Sequence, residues 1–351
     1  METGSIAERF RERSILITGS TGFPAKMLVE KILRIQPDVR KLYLLVRAPD
    51  AAAAEERLLT EVVGKGLFDV LREQHGASFH SFIKEKVCPL PGDITHQNFG
   101  LGNSEILQLS QDVDIIVDGA ATTNFMERYD VALATNTAVV IHLCQFAKQC
   151  DNLKMLLHVS TAYVAGEKAG LLLEKPFQIG ARHYDKGHTL WLAKYICADE
   201  SYGRDVTSTI GTRPSIPGDM VINAMMAAIN SHWKKQAQVI YHVTSAHQNP
   251  LPLSLIVESM YKYFHINPRT NKDGKIIKNK RVLMFKRFAY FQAYMTLRYK
   301  VPLEMMHAAN VLFGGIYSKN YKKLNRGYNI LMTGKGVRPI CLLQRMVRAS
   351  F

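Results

Sequence analysis

The sequence predicts an α/β protein, with a doubly wound parallel sheet joined to a smaller, basic helical C-terminal region. Three observations predict it. Short β-rich runs alternate with longer helical patterns over the first two hundred residues, a glycine-rich turn follows the first strand, and positive charge is concentrated in the last quarter. The 351 residues are 47% hydrophobic and 21% charged, a globular composition that excludes a disordered or collagen-like chain.

The sheet is predicted from five short apolar runs. They are Ser14–Thr18, Lys41–Val46 and residues 87–90, 113–117 and 155–159. Because these runs are nearly continuous in apolar character, we expect parallel strands that are covered on both faces. No stretch approaches the roughly 20 consecutive apolar residues that a membrane-spanning helix needs.

Helical patterns lie between and after these strands. The predicted helices are residues 22–33, 51–63, 131–150, 218–231, 252–264, 282–298 and 302–313. One further strand is predicted at residues 238–243. We divide the chain into two predicted domains, residues 1–265 with the sheet and residues 266–351 with the basic helices.

The turn after the first strand reads TGSTGFPA, residues 18–25. Gly19 permits a sharp turn, Gly22 lets the following helix approach a pyrophosphate, and Ala25 takes the close-packing position. Between an N-terminal strand and a helix, this motif predicts a Rossmann-type dinucleotide site. The predicted cofactor contacts in the turn are Gly19, Ser20, Thr21, Gly22 and Phe23.

Three later strand ends supply further predicted cofactor contacts. Arg47 follows the second strand, where an acidic residue would bind the ribose of NAD and an arginine favours the 2′-phosphate of NADP. A solvated arginine is the alternative. Asp93 ends the third strand unit and can accept from the adenine amino group, and Ala121 is a small residue where the cofactor passes. The predicted cofactor is NADPH.

The five cysteines are scattered without C-x-x-C spacing. An odd count without a pattern favours free thiols in a reducing compartment and predicts no metal site. The N-terminus mixes charges of both signs and reaches the first strand within about a dozen residues, so we expect no signal or transit peptide. The expected location is cytoplasmic or peripheral on the cytosolic face of the endoplasmic reticulum.

Five segments resemble one family in their order and spacing: TGSTGFPAK, KLYLLVRA, PGDIT, DGAATTNFMERYDVALATNT and LHVSTAYVAG. They resemble the plant fatty acyl-CoA reductases, alcohol-forming enzymes of the extended short-chain dehydrogenase/reductase superfamily. The resemblance covers roughly residues 10–330. It implies NADPH-dependent reduction of a long-chain or very-long-chain acyl-CoA, through an aldehyde, to a primary alcohol, as in wax, suberin or sporopollenin-type lipid metabolism.

The resemblance also implies a catalytic set of Ser or Thr, Tyr, and a Lys four residues after the Tyr. Thr161 matches the first position, although a strand-end hydroxyl bonded to backbone is the alternative. Lys194 matches the lysine, which would also hold the nicotinamide ribose. Leu190 stands at the tyrosine position, and leucine cannot donate a proton. Loss of a general acid typically costs about 100- to 10,000-fold in rate.

A second departure from the family lies near residues 215–219. Ser215 and Ile216 end a predicted strand, and PGDMV follows at once, whereas the family has a long substrate-side segment there. Two hypotheses follow. The chain is an NADPH-dependent fatty acyl-CoA reductase, or it is an inactive relative that binds NADP(H) or associates with active reductases. Family membership favours the first, and Leu190 with the short connection favours the second.

The net charge of +15 comes from the end of the chain. Residues 261–351 hold 19 Lys and Arg against two acids, a balance of +17, and the rest of the chain is nearly neutral. Residues 281–300 are basic and aromatic, which predicts either a peripheral contact with an anionic membrane or a core helix with a solvated basic face. No nucleic-acid module is recognisable, so no nucleic-acid partner is expected.

Overall fold

The chain is described by a computed structural model over residues 6–124, 127–160, 173–175, 212–213, 216–233, 237–244, 251–268, 270–271, 274–277 and 288–312. These residues belong to two compact units. The described part of the first comprises residues 6–175 and 216–243, and that of the second comprises residues 212–213 and 244–312, each with the gaps just given. The predicted division at residue 265 stays a prediction.

Five parallel strands form the sheet of the first unit. They are β1 Ser14–Thr18, β2 Lys41–Val46, β3 Val87–Pro91, β4 Ile115–Asp118 and β5 Met155–His158. Their order is β3-β2-β1-β4-β5, so the chain reverses its direction of travel across the sheet between β1 and β4. In such sheets ligands bind at this switch point, outside the carboxyl ends of the strands. We call that side the carboxyl edge and the opposite side the amino edge.

Helices cover both faces of this sheet, as its apolar strands predict. The helices are α1 Phe23–Ile35, α2 Ala51–Arg57, α3 Asp69–His75, α4 Phe79–Lys86, α5 Asn103–Asp112, α6 Tyr129–Leu133, α7 Val139–Ala147 and α8 Gly218–Ser231. Ile15 and Ile17 of β1 pack in a core cluster with α1 and α8, whereas Leu16 packs on the other face with α5 and α7. The predicted Rossmann-type fold is therefore confirmed.

Two helical stretches of the first unit contain a π-helical turn in their described residues. Leu58–Val63 extends α2, and Ala134–Ala138 joins α6 to α7, so that Tyr129–Ala147 is one continuous helix. An 18-residue window of this helix has a mean hydropathy of 1.2, which by length and composition is enough to cross a membrane. Among the described residues it is the one helix of this kind; a helix was predicted at residues 131–150, but not one apolar enough to span. A single such helix is weak support for a span, and Val139, Leu143 and Phe146 pack this one against the sheet.

The strand predicted at residues 238–243 is wrong. Residues 237–244 have no regular secondary structure, and Val239, Tyr241 and Val243 are exposed. Their alternating apolar pattern satisfies the period of a strand, but a strand also requires a neighbour for its backbone groups. Here the amide of His242 donates instead to the Glu174 carboxylate, at 2.6 Å.

The second unit is mainly helical in its described residues, as predicted for the end of the chain. Two short antiparallel strands, β6 Thr212–Arg213 and β7 Leu251–Pro252, precede its helices. The helices are α9 Leu253–Ile266, α10 Phe288–Met295 and α11 Val301–Leu312, with a π-helical turn at Thr296–Lys300 between the last two.

Candidate functional site

The turn between β1 and α1 is closed by two glycines. Gly19 has a φ of +66°, and a Cβ atom on it would lie 2.5 Å from the carbonyl oxygen of Gly119. A Cβ on Gly22 would lie 2.9 Å from the Gly19 carbonyl oxygen. No larger residue fits at either position without moving backbone atoms. The absence of Cβ atoms at these two positions therefore lets the turn pack tightly at the carboxyl edge.

The first turn of α1 leaves its amide groups open toward this edge. Gly22 offers no side-chain cap, Pro24 lacks an amide hydrogen, and no acidic side chain lies in the first turn. Phe23 is exposed, and Thr21 is half-buried. Open amides and the helix dipole at an N-terminus favour an anion such as a pyrophosphate.

Ser20 points away from this opening. Its side chain is buried, and its hydroxyl lies 2.9 Å from the carbonyl oxygen of Ile17 and 3.0 Å from that of Leu45. The hydroxyl therefore ties the turn to β2. A cofactor contact from Ser20, as the sequence predicts, would have to come from its backbone.

Arg47 leaves the sheet at the end of β2 and is exposed. The nearby Asp50 is occupied as the N-cap of α2, where its carboxylate accepts from the amide of Ala53 at 2.8 Å. Arg57 donates to the carbonyl oxygen of Arg47 and pairs with Glu61 at 2.7 Å. That pairing lowers the pKa of the Glu61 carboxyl. Among the described residues the guanidinium of Arg47 has no hydrogen-bond or ion-pair partner, and its cofactor contact stays a prediction.

Asp93 lies just past β3 with one carboxylate oxygen already used. Its Oδ1 accepts from the amide of Thr95 at 2.9 Å and from the Thr95 hydroxyl at 2.8 Å. Within the part of the chain that the structure describes, Oδ2 has no hydrogen-bond partner. Oδ2 of this half-buried carboxylate is therefore available for the adenine contact that the sequence predicts.

The end of β4 carries a polar cluster that sequence reasoning missed. Asp118 is buried, and its carboxylate binds Thr18 of β1 and His158 of β5. Ala121, the predicted contact, is exposed three residues further on. Thr18, Asp118 and His158 each stand at or next to the end of an apolar run in the sequence. That position was the signal that could have identified the cluster.

A second contact missed by sequence reasoning holds the loop that follows Ala121. The amide of Thr122 donates to Oδ1 of Asn136 at 2.8 Å, and Nδ2 of Asn136 donates back to the Thr122 carbonyl oxygen at 3.2 Å. Asn136 lies in the π-helical turn at Ala134–Ala138. A π-helical turn inside an α-helix often marks a functional site, and here it orients the side chain that fixes the loop.

The catalytic candidates lie outside the described residues. Thr161, Leu190 and Lys194 belong to the chain between β5 and β6, of which the structure describes residues 159–160 and 173–175. Their predicted roles, including the ribose contact of Lys194, stay predictions. Across the described residues, no group of three or more His, Cys, Asp or Glu is placed to hold a metal ion.

The observed edge fits a dinucleotide. The turn of residues 19–22, which we call the glycine cradle, and the uncapped N-terminus of α1 lie beside the switch point between β1 and β4, and an exposed arginine follows the neighbouring β2. These features match the pyrophosphate and ribose regions of such a cofactor.

Comparison with known proteins identifies the family of this chain. Residues 17–237 match a family described as "Male sterility protein", an NAD-binding family. An alcohol-forming fatty acyl-CoA reductase from Simmondsia chinensis is 34% identical over 426 residues, which cover 94% of this chain and 86% of that protein. The chain belongs to the fatty acyl-CoA reductase family. Its cofactor is a nicotinamide dinucleotide.

Two further comparisons extend this assignment. Fatty acyl-CoA reductase 1 from Arabidopsis thaliana is 35% identical, and the match covers 91% of this reductase-family chain and 84% of that protein. The reductase domain of a non-ribosomal peptide synthetase from Mycobacterium tuberculosis has a TM-score of 0.51 at 19% identity, with 84% of this chain and 80% of that chain covered. At that identity the structure supports the fold alone.

Proposed function

We propose that this chain reduces long-chain or very-long-chain acyl-CoA to a primary fatty alcohol with NADPH. One observation carries the proposal: 34% identity across 94% of the chain to a protein named for alcohol-forming fatty acyl-CoA reduction. The second support is the glycine cradle at the carboxyl edge, which a hydride-transferring enzyme of this fold requires.

NADPH rather than NADH is proposed because of Arg47. NADPH supplies the hydride when bound, and its 2′-phosphate distinguishes it from NADH. An exposed guanidinium at the end of β2, with Asp50 engaged elsewhere, favours that phosphate over the bare hydroxyl.

The proposed proton chemistry rests on residues between β5 and β6. Reduction of a thioester carbonyl develops negative charge on its oxygen, which needs a hydrogen-bond donor. Thr161 is proposed as that donor, and Lys194 as the residue that holds the nicotinamide ribose. Leu190 supplies no proton, so we expect a slower enzyme than a relative with tyrosine at this position.

We also propose that the acyl-binding region of this chain is shorter than that of its relatives. The alignment with the Simmondsia protein covers 426 positions, whereas 94% of this chain is about 330 residues. About 96 aligned positions therefore hold no residue of this chain, which supports a shortened acyl-binding region.

The deciding experiment is expression of the full chain in yeast, with fatty alcohols measured by gas chromatography and mass spectrometry. We expect alcohol from the wild type, and about 100-fold more from Leu190→Tyr because the phenol restores a general acid. Leu190→Phe is the matched control, since it adds the ring without the hydroxyl and should stay at the wild-type level.

Absence of alcohol from both the wild type and Leu190→Tyr would overturn the enzymatic proposal. The chain would then be an inactive relative that binds NADP(H) or associates with active reductases. An equal gain from Leu190→Tyr and Leu190→Phe would overturn the proton-donor explanation alone, because packing would then account for it.

A peripheral membrane contact on the cytosolic face of the endoplasmic reticulum is proposed for the second unit. The side chains of Leu297 in the π-helical turn and of Met305 and Leu312 in α11 are exposed, and the turn also carries the cations Arg298 and Lys300. Apolar and basic side chains together favour an anionic lipid surface.

Full-length protein should float with anionic vesicles at low salt, and the double variant Arg298→Glu, Lys300→Glu should float less. Arg128→Glu, in the first unit, should float like the wild type.

A further inference from the structure

Three polar residues lie at one level of the sheet, on three adjacent strands. Thr18 of β1 is in register with Asp118 of β4, and Asp118 is in register with His158 of β5. All three are the last residues of their strands, so they lie at the carboxyl edge beside the cofactor cradle. None of the predicted cofactor contacts or catalytic residues includes them.

The hydrogen bonds of this cluster have a fixed direction. An ionised carboxylate can only accept, so the single hydroxyl proton of Thr18 goes to Oδ1 of Asp118, at 2.5 Å. Nδ1 of His158 lies 2.7 Å from Oδ2 of the same carboxylate and donates to it. The oxygen of Thr18 is then left as an acceptor.

That acceptor holds the loop after β4. The amides of Gly119 and Ala120 both donate to Oγ1 of Thr18, each at 3.2 Å, and the Ala120 amide also lies 3.4 Å from Oδ1 of Asp118. If the hydroxyl proton of Thr18 turned toward these amides, their hydrogen bonds to its oxygen would be lost. Asp118 therefore acts on the loop through Thr18 and, more weakly, through its own longer contact with Ala120.

The loop in turn forms one wall of the cofactor cradle. The position of a Cβ on Gly19 lies 2.5 Å from the Gly119 carbonyl oxygen and 2.8 Å from the Ala120 nitrogen, so the two backbones are in direct contact. The next residue, Ala121, is exposed at this edge. A shift of this loop would change the shape of the cradle.

We propose that Asp118, with its partner His158, is a positioning residue for the nicotinamide cofactor. It orients the Thr18 hydroxyl so that the loop of residues 119–121 is held against the Gly19 turn. The inference rests on the cofactor of the proposed function. A carboxylate whose side chain is 1% exposed is costly to bury, and the hydrogen bonds from Thr18 and His158 offset that cost.

The chain contains a matched control four residues earlier. Asp114 precedes β4 at the amino edge, its side chain is 6% exposed, and it binds Arg13 at 3.3 Å and Arg40 at 3.0 Å. It is a second buried carboxylate on the same segment, but at the edge opposite the cradle. A purely structural role for Asp118 predicts that the two residues behave alike.

The test is NADPH affinity, measured on the full chain by titration of cofactor fluorescence, with the melting temperature of each variant recorded. Asp118→Ala should raise the Kd about tenfold, the usual cost of lost hydrogen bonds to a charged group. Asp118→Asn should stay within about threefold of the wild type, because its Oδ1 still accepts from Thr18. Asp114→Ala should lower the melting temperature and leave the Kd within about twofold.

A double-mutant comparison separates positioning from general damage. In a Thr18→Ala background, Asp118→Ala should raise the Kd by less than it does in the wild type, because the hydrogen bonds that pass through the Thr18 hydroxyl are already lost. If Asp118→Ala does not fold, His158→Leu replaces it and should raise the Kd at least about threefold. An unchanged Kd in the variant that folds, or an equal rise with Asp114→Ala, would overturn the proposal.

The outcome is separable from the acyl-CoA reductase activity. If the wild type binds NADPH but makes no alcohol, the proposed reaction is overturned. The Kd values of the variants then still decide whether Asp118 is a positioning residue. A wild type that does not bind NADPH overturns both.

Discussion

The two edges of the sheet differ in what their polar groups bind. At the amino edge, Asp114 is bound by Arg13, by Arg40 and by the amide of Ser14 at 2.9 Å. Arg40 also binds the Ser14 hydroxyl, at 2.9 Å. These groups are largely paired within the chain, although Nε of Arg13 is buried without a hydrogen-bond partner among the described residues. This edge therefore stabilises the fold.

At the carboxyl edge the polar groups are left partly unused. Arg47 is exposed, Oδ2 of Asp93 has no partner within the described residues, and the amides at the start of α1 have no side-chain cap. Water can satisfy exposed groups of this kind in the free protein, and a ligand can take the place of that water. The difference indicates that the amino edge stabilises the fold, whereas the carboxyl edge carries the groups that a ligand would bind.

The largest effect should come from Gly19→Ala. The new Cβ would meet the Gly119 carbonyl oxygen at 2.5 Å in a backbone with a φ of +66°, so the cradle must open. We expect the NADPH Kd to rise at least about 100-fold, a loss of roughly 2.7 kcal/mol. The measurement is the fluorescence titration used for Asp118.

Gly76→Ala is the control for backbone strain. Gly76 also has a positive φ, +51°, but nothing lies within 4 Å of its Cβ position. It should cost about 1 kcal/mol of stability and leave the Kd unchanged. An effect of Gly76→Ala on the Kd as large as that of Gly19→Ala would contradict the assignment of the cradle.

The second effect in size should come from Arg47→Ala. Loss of a charge-assisted hydrogen bond to the 2′-phosphate should weaken NADPH about 30-fold and NADH less than about twofold. Arg40→Ala removes the same charge at the amino edge and should change neither Kd. Equal weakening of both cofactors by Arg47→Ala would sink the 2′-phosphate contact.

The sequence predicted the parts of this site that depend on local pattern. Periodicity and motif spacing predict the five strands of the sheet, the turn around Gly19 and Gly22, and the position of Arg47 after β2. The structure has these features where they were expected. The cluster of Thr18, Asp118 and His158 depends on which strands are neighbours. Strand order and register come from tertiary packing, so no local window of sequence could join residues about 100 positions apart.

One prediction failed, and one predicted contact residue has its side chain occupied, for the same reason. The apolar alternation at residues 238–243 predicted a strand, but a strand forms only where a neighbour accepts its backbone hydrogen bonds. Ser20 was predicted from its place in the glycine turn, yet its hydroxyl reaches the Leu45 carbonyl oxygen on the neighbouring β2. Both outcomes depend on contacts across the sheet.

A smaller effect, on stability alone, should follow from Asp114→Asn at the amino edge. The amide keeps the shape but loses the charge that Arg13 and Arg40 bind, and both arginines remain partly in solvent. We expect a loss of about 1.5 kcal/mol in urea unfolding, with the NADPH Kd unchanged. A change in the Kd beyond about twofold would contradict the separation between the two edges.

The smallest effect should come from Tyr43→Phe, also away from the cofactor. Burial, together with the hydrogen bond to Asp112 at 2.9 Å, raises the pKa of the Tyr43 phenol. The folded chain therefore favours the neutral phenol. Its contribution is complete below the unfolded pKa of about 10 and is lost as pH rises toward the higher folded value.

Tyr43→Phe should accordingly cost about 1 kcal/mol at pH 7, from the lost hydrogen bond, and should make the fall in stability between pH 9.5 and 11 less steep. Urea unfolding across that range measures both. Tyr290→Phe, at an exposed position of the second unit, should leave the slope as in the wild type. A slope unchanged by Tyr43→Phe would mean that this phenol does not hold its proton in the fold, and an altered NADPH Kd would mean that the amino edge is not independent of the site.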